Sequence, residues 1–178
     1  MGRTLIVYHS RSGHTRRVAR TLAVRLAADV EEIQIVQPLD GPLGYAMCAI
    51  EAIAGLAPAL RSTARDPADY DLVLVGTPVW FWSLSSPMRS WLERHPLKGR
   101  RFAFFCTMGG SGAARAFTMM KQLAGGKPVA TLALTDDEID AGARAKLDAF
   151  VSELRTGPGR RTRRRGHKLA PAVSRAAA

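Results

Sequence analysis

The sequence is poor in the residues that build disulfide frameworks and metal sites. Its 178 residues include two cysteines, Cys48 and Cys106, which lie far apart and belong to no C-x-x-C motif. A disulfide scaffold is therefore not expected, and a reducing cytoplasm is the expected location. The four histidines show no metal-ligand spacing with one another or with the cysteines, so no metal site is expected.

The sequence also lacks the long apolar runs of targeting and membrane segments. Residues 1–10 contain no apolar stretch of signal-peptide length. Residues 41–60 carry a single charge, Glu51, but Pro42 and Pro58 limit a helix to about 45–57, so no transmembrane segment is expected. We expect a crossover helix packed on a sheet. Its apolar surface leaves open a homodimer interface or a cover over a substrate.

Acidic residues are absent from the last part of the chain. Residues 155–178 hold eight of the 26 basic side chains and no acid, and the whole chain has a net charge of +11. The sequence therefore divides into a folded domain, residues 1–154, and a basic tail, residues 155–178, which is expected to be disordered. The segment RRTRRRGHK in that tail is suited to nucleic acid or anionic lipid, but a solvated, non-specific tail is the simpler interpretation.

What the sequence does contain is a regular alternation of strand and helix patterns. Strands are predicted at 3–9, at 30–36, within 70–80 ending at Gly76, at 100–110 and at 127–135. Helices are predicted at 15–28, 85–95, 113–124 and 136–155, and Ser86 before Pro87 is the predicted N-cap of the second of these. This alternation indicates an α/β fold with a five-stranded parallel sheet covered by helices on both faces. Ligands then bind beyond the carboxyl ends of the strands.

The loop after the first strand has the composition of a phosphate site. Ser10, Ser12 and Thr15 supply hydroxyl groups, and Gly13 permits close approach of the backbone at the start of a helix. No Walker motif and no G-x-G-x-x-G motif is present. Taken alone, the pattern also fits a hydroxyl-rich helix cap that binds nothing.

The same loop resembles the [ST]-x-[ST]-G-x-T phosphate loop of the flavodoxin family. The resemblance covers residues 3 to about 154 and implies a flavodoxin-like three-layer sandwich, with strand order 2-1-3-4-5 and FMN at the strand tips. It implies phosphate contacts through the side chains of Ser10, Ser12 and Thr15. The backbone of Arg11, Gly13 and His14 would contribute the remaining contacts.

Two further loops are implied to hold the flavin ring. The second loop contains three consecutive aromatic residues suited to a flat, apolar ring, and the alternative is that they plug the sheet edge or pack under the next helix. The third is rich in glycine and offers backbone N–H groups to the pyrimidine edge of the flavin. The implied ring-binding residues are Thr77, Pro78, Val79, Trp80, Phe81 and Trp82 in the second loop and Thr107, Met108, Gly109, Gly110, Ser111 and Gly112 in the third.

The second loop departs from flavodoxins that carry electrons between proteins. Residues 77–83 contain no glycine, and residues 77–94 are more similar to NAD(P)H-dependent FMN reductases and quinone reductases. We therefore expect an oxidoreductase that transfers hydride from NAD(P)H through FMN to a quinone or another acceptor, with no catalytic side chain. A one-electron carrier between redox proteins is the alternative, and polyanion binding by the tail is a second.

Overall fold

The computed structural model describes residues 2–36, 59–61 and 63–156. The crossover helix expected at about 45–57, the thiol of Cys48 and the polyanion-binding segment of the basic tail lie outside the described residues. Within them, no helix is both long and apolar enough to cross a membrane.

The described chain forms six strands and five α-helices. The strands are β1 (Thr4–Tyr8), β2 (Asp29–Glu32), β3 (Leu72–Trp80), β4 (Ser83–Leu84), β5 (Phe102–Met108) and β6 (Thr131–Thr135). The helices are α1 (His14–Leu26), α2 (Ser86–Arg94), α3 (Ala113–Ala124), α4 (Asp136–Asp140) and α5 (Arg144–Thr156), with one 3-10 turn at Pro67–Asp69.

The long strands form a parallel sheet in the order β2-β1-β3-β5-β6. This is the predicted 2-1-3-4-5 order, which the structure confirms, with β4 added as a short antiparallel partner of the end of β3. Strand β1 is buried along its whole length, as expected for a parallel strand with helices on both sides.

Alternate residues of the central strands feed two separate cores, one on each face of the sheet. Ile6 of β1 belongs to the core formed with α1 and α5, which includes Leu22 and Phe150. Its neighbour Leu5 belongs to the opposite core, which includes Trp91 of α2 and Met120 of α3. The sheet is therefore the middle layer of a three-layer sandwich.

The second strand is shorter than predicted. It ends at Glu32, and Ile33 is already bonded through its backbone N–H to the carbonyl of Tyr8. Ile35 instead forms an isolated antiparallel bridge with Leu60. The chain leaves β1 after Ile33, and residues 34–36 instead bond to residues 59–61.

The predicted closing helix is also wrong in one respect, because it is two helices. A capping box between Thr135 and Glu138 starts α4, and the carboxylate of Glu138 lies 2.5 Å from the ammonium of Lys146. Gly142 then adopts a φ of 88°, which ends the helix before α5 begins.

Candidate functional site

The loop between β1 and α1 is organised around the helix start. The hydroxyl of Ser10 accepts the backbone N–H of Arg16 at 3.2 Å. Gly13 precedes the helix with a φ of 97°, and a Cβ built there meets nothing within 4 Å. The N–H groups of Gly13, His14 and Thr15 have no acceptor within the helix. Ser10 thus acts as part of the cap, while the space beside Gly13 is open.

Thr15 occupies a different position from the other predicted phosphate residues. Its side chain is buried, and its hydroxyl lies 2.8 Å from the hydroxyl of Thr107, which is buried as well. Arg11 and Ser12 are exposed, and Gly13 and His14 are half-buried. The imidazole of His14 lies 3.0 Å from the carboxylate of Asp136 at the start of α4.

The second predicted loop is in fact a β-hairpin. Strand β3 continues past Gly76 to Trp80, so the prediction that it ends at Gly76 is wrong. The chain stays extended because Val79 and Trp80 pair with Leu84 and Ser83 of β4. Phe81 and Trp82 form the two-residue turn between them, with φ values of 48° and 59°. Positive φ at both central positions matches the right-handed twist of a hairpin, but it is strained in bulky residues.

Thr77 lies at the base of this hairpin rather than at its tip. Its hydroxyl is fully buried, accepts the backbone N–H of Ser85 at 3.0 Å and lies 3.1 Å from the Ser85 hydroxyl. The N-cap of α2 is Ser85, so the prediction of Ser86 is wrong by one residue. Ser86 takes the first helical position, because Thr77 holds Ser85 in the extended conformation that a cap requires.

The tip of the hairpin contacts the third predicted loop. The indole N–H of Trp82 donates to the hydroxyl of Ser111 at 3.3 Å. Gly112 has a φ of 108°, and a Cβ built on it would lie 2.8 Å from Cγ1 of Val79 and 3.0 Å from Cα of Trp82. Glycine is therefore required at this position both by its backbone conformation and by the closeness of the hairpin.

The ring of His9 joins the first loop to the hairpin. It lies edge-on to the indole of Trp80, with 5.6 Å between ring centroids. Nδ1 of His9 donates to the carbonyl of Ile33 at 3.0 Å. Burial lowers the pKa of His9 from 6.5, against the opposing effect of that hydrogen bond. The imidazole is therefore neutral at pH 7 and carries its proton on Nδ1.

A charged cluster fixes the first turn of α1 to β2. The guanidinium of Arg16 bonds Glu32 through two nitrogens, with its closest approach at 2.6 Å. The phenol of Tyr8 donates to the same carboxylate at 3.0 Å. Burial first, and the charge of Glu32 second, raise the pKa of Tyr8 to about 12. The guanidinium of Arg16 is thus held by Glu32.

The sequence model of the flavodoxin family matches residues 3–141, which include every strand of the sheet and all three loops. The chain belongs to the flavodoxin family. A curated relative from Cupriavidus metallidurans, named NAD(P)H dehydrogenase (quinone), is 30% identical over 95 residues, which make up 53% of this chain and 47% of that protein. The chain spans about half the length of this relative.

Solved structures with the same fold include flavoproteins from two other bacteria. A candidate flavoprotein of Bacteroides eggerthii is 26% identical, with a TM-score of 0.70 over 85% of this chain and 99% of that one. The flavoprotein of Lactobacillus acidophilus, solved in complex with FMN, is 24% identical, with a TM-score of 0.63 over 80% and 99% of the two chains.

The remaining predicted residues of this flavodoxin-family chain are half-buried or exposed. Met108 is half-buried at the end of β5, and Pro78 is half-buried at the start of the hairpin. Gly109 and Gly110 are exposed, and a Cβ on either would meet nothing within 4 Å. Packing therefore does not require glycine at these two positions, and the space around them beyond the end of β5 is open.

Sequence reasoning missed His9, Glu32 and Tyr8 as parts of this site. All three act through contacts between separate segments, and only the position of His9 at a strand end gave a signal. Cys106, predicted to be a core residue, is buried, and burial raises the pKa of its thiol to about 12. The described ranges contain no group of histidine, cysteine and carboxylate side chains that could hold a metal ion.

Proposed function

We propose that this chain binds FMN without a covalent bond at the carboxyl ends of β1, β3 and β5, and that it is an oxidoreductase. One observation carries the proposal: each of the three loops contacts the other two. Thr15 meets Thr107, Trp82 meets Ser111, and His9 meets Trp80. Loops joined in this way form one preorganised site rather than three independent turns.

The first loop fits the phosphate of FMN. Three backbone N–H groups, on Gly13, His14 and Thr15, lack helical acceptors at the positive end of α1. The hydroxyls of Ser12 and Thr15 add donors on either side of the turn. Space beside Gly13 is open. The alternative of a simple helix cap accounts for Ser10 alone, because only its hydroxyl bonds a helix N–H.

The other two loops fit the flavin ring. Trp80, Phe81 and Trp82 line one side with aromatic surface, and the exposed Gly109 and Gly110 leave room on the other. Phe81 and Trp82 are 46% and 57% exposed, which is unusual for side chains of this size unless a ligand or partner covers them. Aromatic side chains there would exclude water from one face of the ring.

When bound, FMN supplies the redox chemistry, and NAD(P)H is the proposed electron donor with a quinone or another compound as acceptor. The name of the Cupriavidus relative supports this donor and acceptor, although that protein shares only part of its length with this chain. The chain's own residues contribute binding and orientation. The Cys106 thiol, with its pKa raised to about 12, stays protonated at neutral pH.

Cofactor binding is tested by titrating the ligand-free protein with FMN and with riboflavin, which lacks the phosphate. The protein should bind FMN at least about tenfold more tightly, because a charged phosphate gains several hydrogen bonds at the loop. Equal affinity for the two flavins would contradict the phosphate site at the first loop.

The reaction is tested by adding NADPH to the FMN-loaded protein without oxygen and following the absorbance of the flavin. Rapid bleaching is the expected result, and NADH gives the matched comparison of donors. A flavin that binds but stays oxidised with both donors would contradict the reductase assignment and favour a carrier that takes electrons from another protein.

A further inference from the structure

We infer that Thr107 is a positioning residue, which makes the proposed flavin site specific for a phosphate by orienting the hydroxyl of Thr15. The inference rests on the proposed binding of FMN. It assigns Thr107 a role through another side chain, distinct from a contact with the flavin ring.

The contact arises from strand alternation at the end of β5. Ala103 and Phe105 of β5 belong to the core under α1 and α5, so Thr107, two residues further on, points to the same face. Helix α1 packs on this same face of the sheet. Its first turn brings Oγ1 of Thr15 to 2.8 Å from Oγ1 of Thr107, and both side chains are at most 3% exposed.

Each hydroxyl carries one proton, so the pair has two arrangements. If Thr15 donates to Thr107, its oxygen has no proton left for a ligand. If Thr107 donates to Thr15, the Thr15 proton is directed away from the pair and is available to an acceptor. Phosphate oxygens are acceptors, and an ionised phosphate makes the stronger bond. A bound phosphate therefore selects the second arrangement. In it Thr107 donates to Thr15 and Thr15 donates to the phosphate, so both hydroxyl protons are hydrogen-bonded.

Burial gives this selection its weight. A hydroxyl in contact with water could replace a lost partner with a water molecule. Thr15 and Thr107 are both buried, so without Thr107 the oxygen of the Thr15 hydroxyl would lose the donor that bonds it, and no water could replace it. The exposed Ser12, whose hydroxyl lies 3.4 Å from Nδ1 of His14, has no such dependence.

The test compares FMN and riboflavin affinities of the full chain with Thr107→Val and Thr107→Ser. Valine keeps the shape of threonine without the donor, and serine keeps the donor. Thr107→Val should lower the affinity for FMN about five- to tenfold, which is the effect of losing about one hydrogen bond. Its affinity for riboflavin should stay within about twofold of the wild-type value. Thr107→Ser should keep the wild-type ratio of the two affinities.

A double-mutant cycle with Thr15→Val separates positioning from direct contact. If Thr107 acts through Thr15, adding Thr107→Val to Thr15→Val should cause no further loss of FMN affinity. Additive losses, or equal losses of FMN and riboflavin in Thr107→Val, would overturn the inference. Where Thr107→Val does not fold, Thr107→Ala removes the same hydroxyl and is judged by the same ratio. A wild-type protein that does not distinguish the two flavins contradicts the proposed phosphate site itself, which is a separate outcome.

Discussion

The imidazole of His9 packs edge-on against the indole of Trp80, with 5.6 Å between ring centroids. This contact joins the end of β1 to the β3–β4 hairpin across the carboxyl edge of the sheet. Burial lowers the pKa of the imidazole and so favours the neutral ring, against the opposing effect of the bond from Nδ1 to the Ile33 carbonyl. The candidate site therefore contains a titratable group whose protonation opposes the fold.

The first prediction concerns the pH dependence of stability. Because the pKa of His9 is lowered in the folded state, the unfolded chain binds a proton near pH 6.5 that the folded chain does not. Stability from this group is fully present above that pH and is lost as pH falls below it. His9→Asn keeps an N–H for Ile33 and should flatten the slope of unfolding free energy between pH 7 and about 5.5. Urea denaturation at several pH values measures it, and parallel curves would contradict the assignment.

The role of Ser10 to Thr15 in binding a phosphate rests on the resemblance to the flavodoxin family and stays a prediction. The turn itself could be predicted from the sequence, because its hydroxyls and its glycine lie within six residues between a strand pattern and a helix pattern. The hairpin could not. Its turn residues, Phe81 and Trp82, are not the Asn-Gly pair that announces such a turn, and their positive φ values are imposed by the pairing of Trp80 with Ser83.

The long-range contacts were invisible for a related reason. The bond between Thr15 and Thr107 joins residues 92 positions apart, and no single segment carries a signal for it. The same applies to Tyr8, Glu32 and Arg16, which meet because β2 pairs with β1 and α1 packs across both. The alternation of strands and helices predicted a parallel sheet covered on both faces, and the resemblance to the flavodoxin family supplied the strand order.

A second prediction concerns the cluster at the start of α1. Glu32→Gln removes the charge that holds both Arg16 and Tyr8, and it should lower the free energy of unfolding by about 1 kcal/mol. The matched control is Asp140→Asn, whose partner Arg17 forms an ion pair with both side chains more than half exposed. That control should change stability little, because exposed pairs are weak. Equal losses in the two variants would show that the cluster has no special weight.

A third prediction concerns Gly112. Alanine there must adopt a φ near 108° and would place its Cβ 2.8 Å from Val79, so Gly112→Ala should displace the hairpin. Gly142→Ala is the control, since Gly142 also has a positive φ but no atom within 4 Å of a Cβ. The control should lose about 1 kcal/mol from backbone strain alone. Gly112→Ala should lose more and should also weaken riboflavin binding, whereas equal losses with normal riboflavin affinity would refute the steric argument.

A fourth prediction concerns the proposed domain boundary near residue 154. Helix α5 ends at Thr156, and the guanidinium of Arg101 bonds the carbonyl of Leu154. A chain that stops after Thr156 should keep the stability and the FMN affinity of the full chain, because the described core is complete by Leu154. Thermal unfolding and FMN titration measure both. A large loss of FMN affinity would place residues 157–178 in the functional unit.

The last prediction turns on the strain in the hairpin turn. Left-handed backbone costs a non-glycine residue roughly 1–2 kcal/mol, and both Phe81 and Trp82 adopt it. Asn and Gly are the pair that prefers such turns. Replacing Phe81 and Trp82 with them should raise the free energy of unfolding by about 1 kcal/mol, once the loss of the hydrogen bond between Trp82 and Ser111 is subtracted. The same change should weaken riboflavin about fivefold, because an aromatic contact with the ring is removed. The single variant Phe81→Asn, which keeps Trp82, separates the two contributions. Backbone strain at two exposed aromatic residues favours a role for them in binding a ligand. A variant that is more stable and binds riboflavin with normal affinity would therefore contradict the proposed contact between this hairpin and the flavin ring.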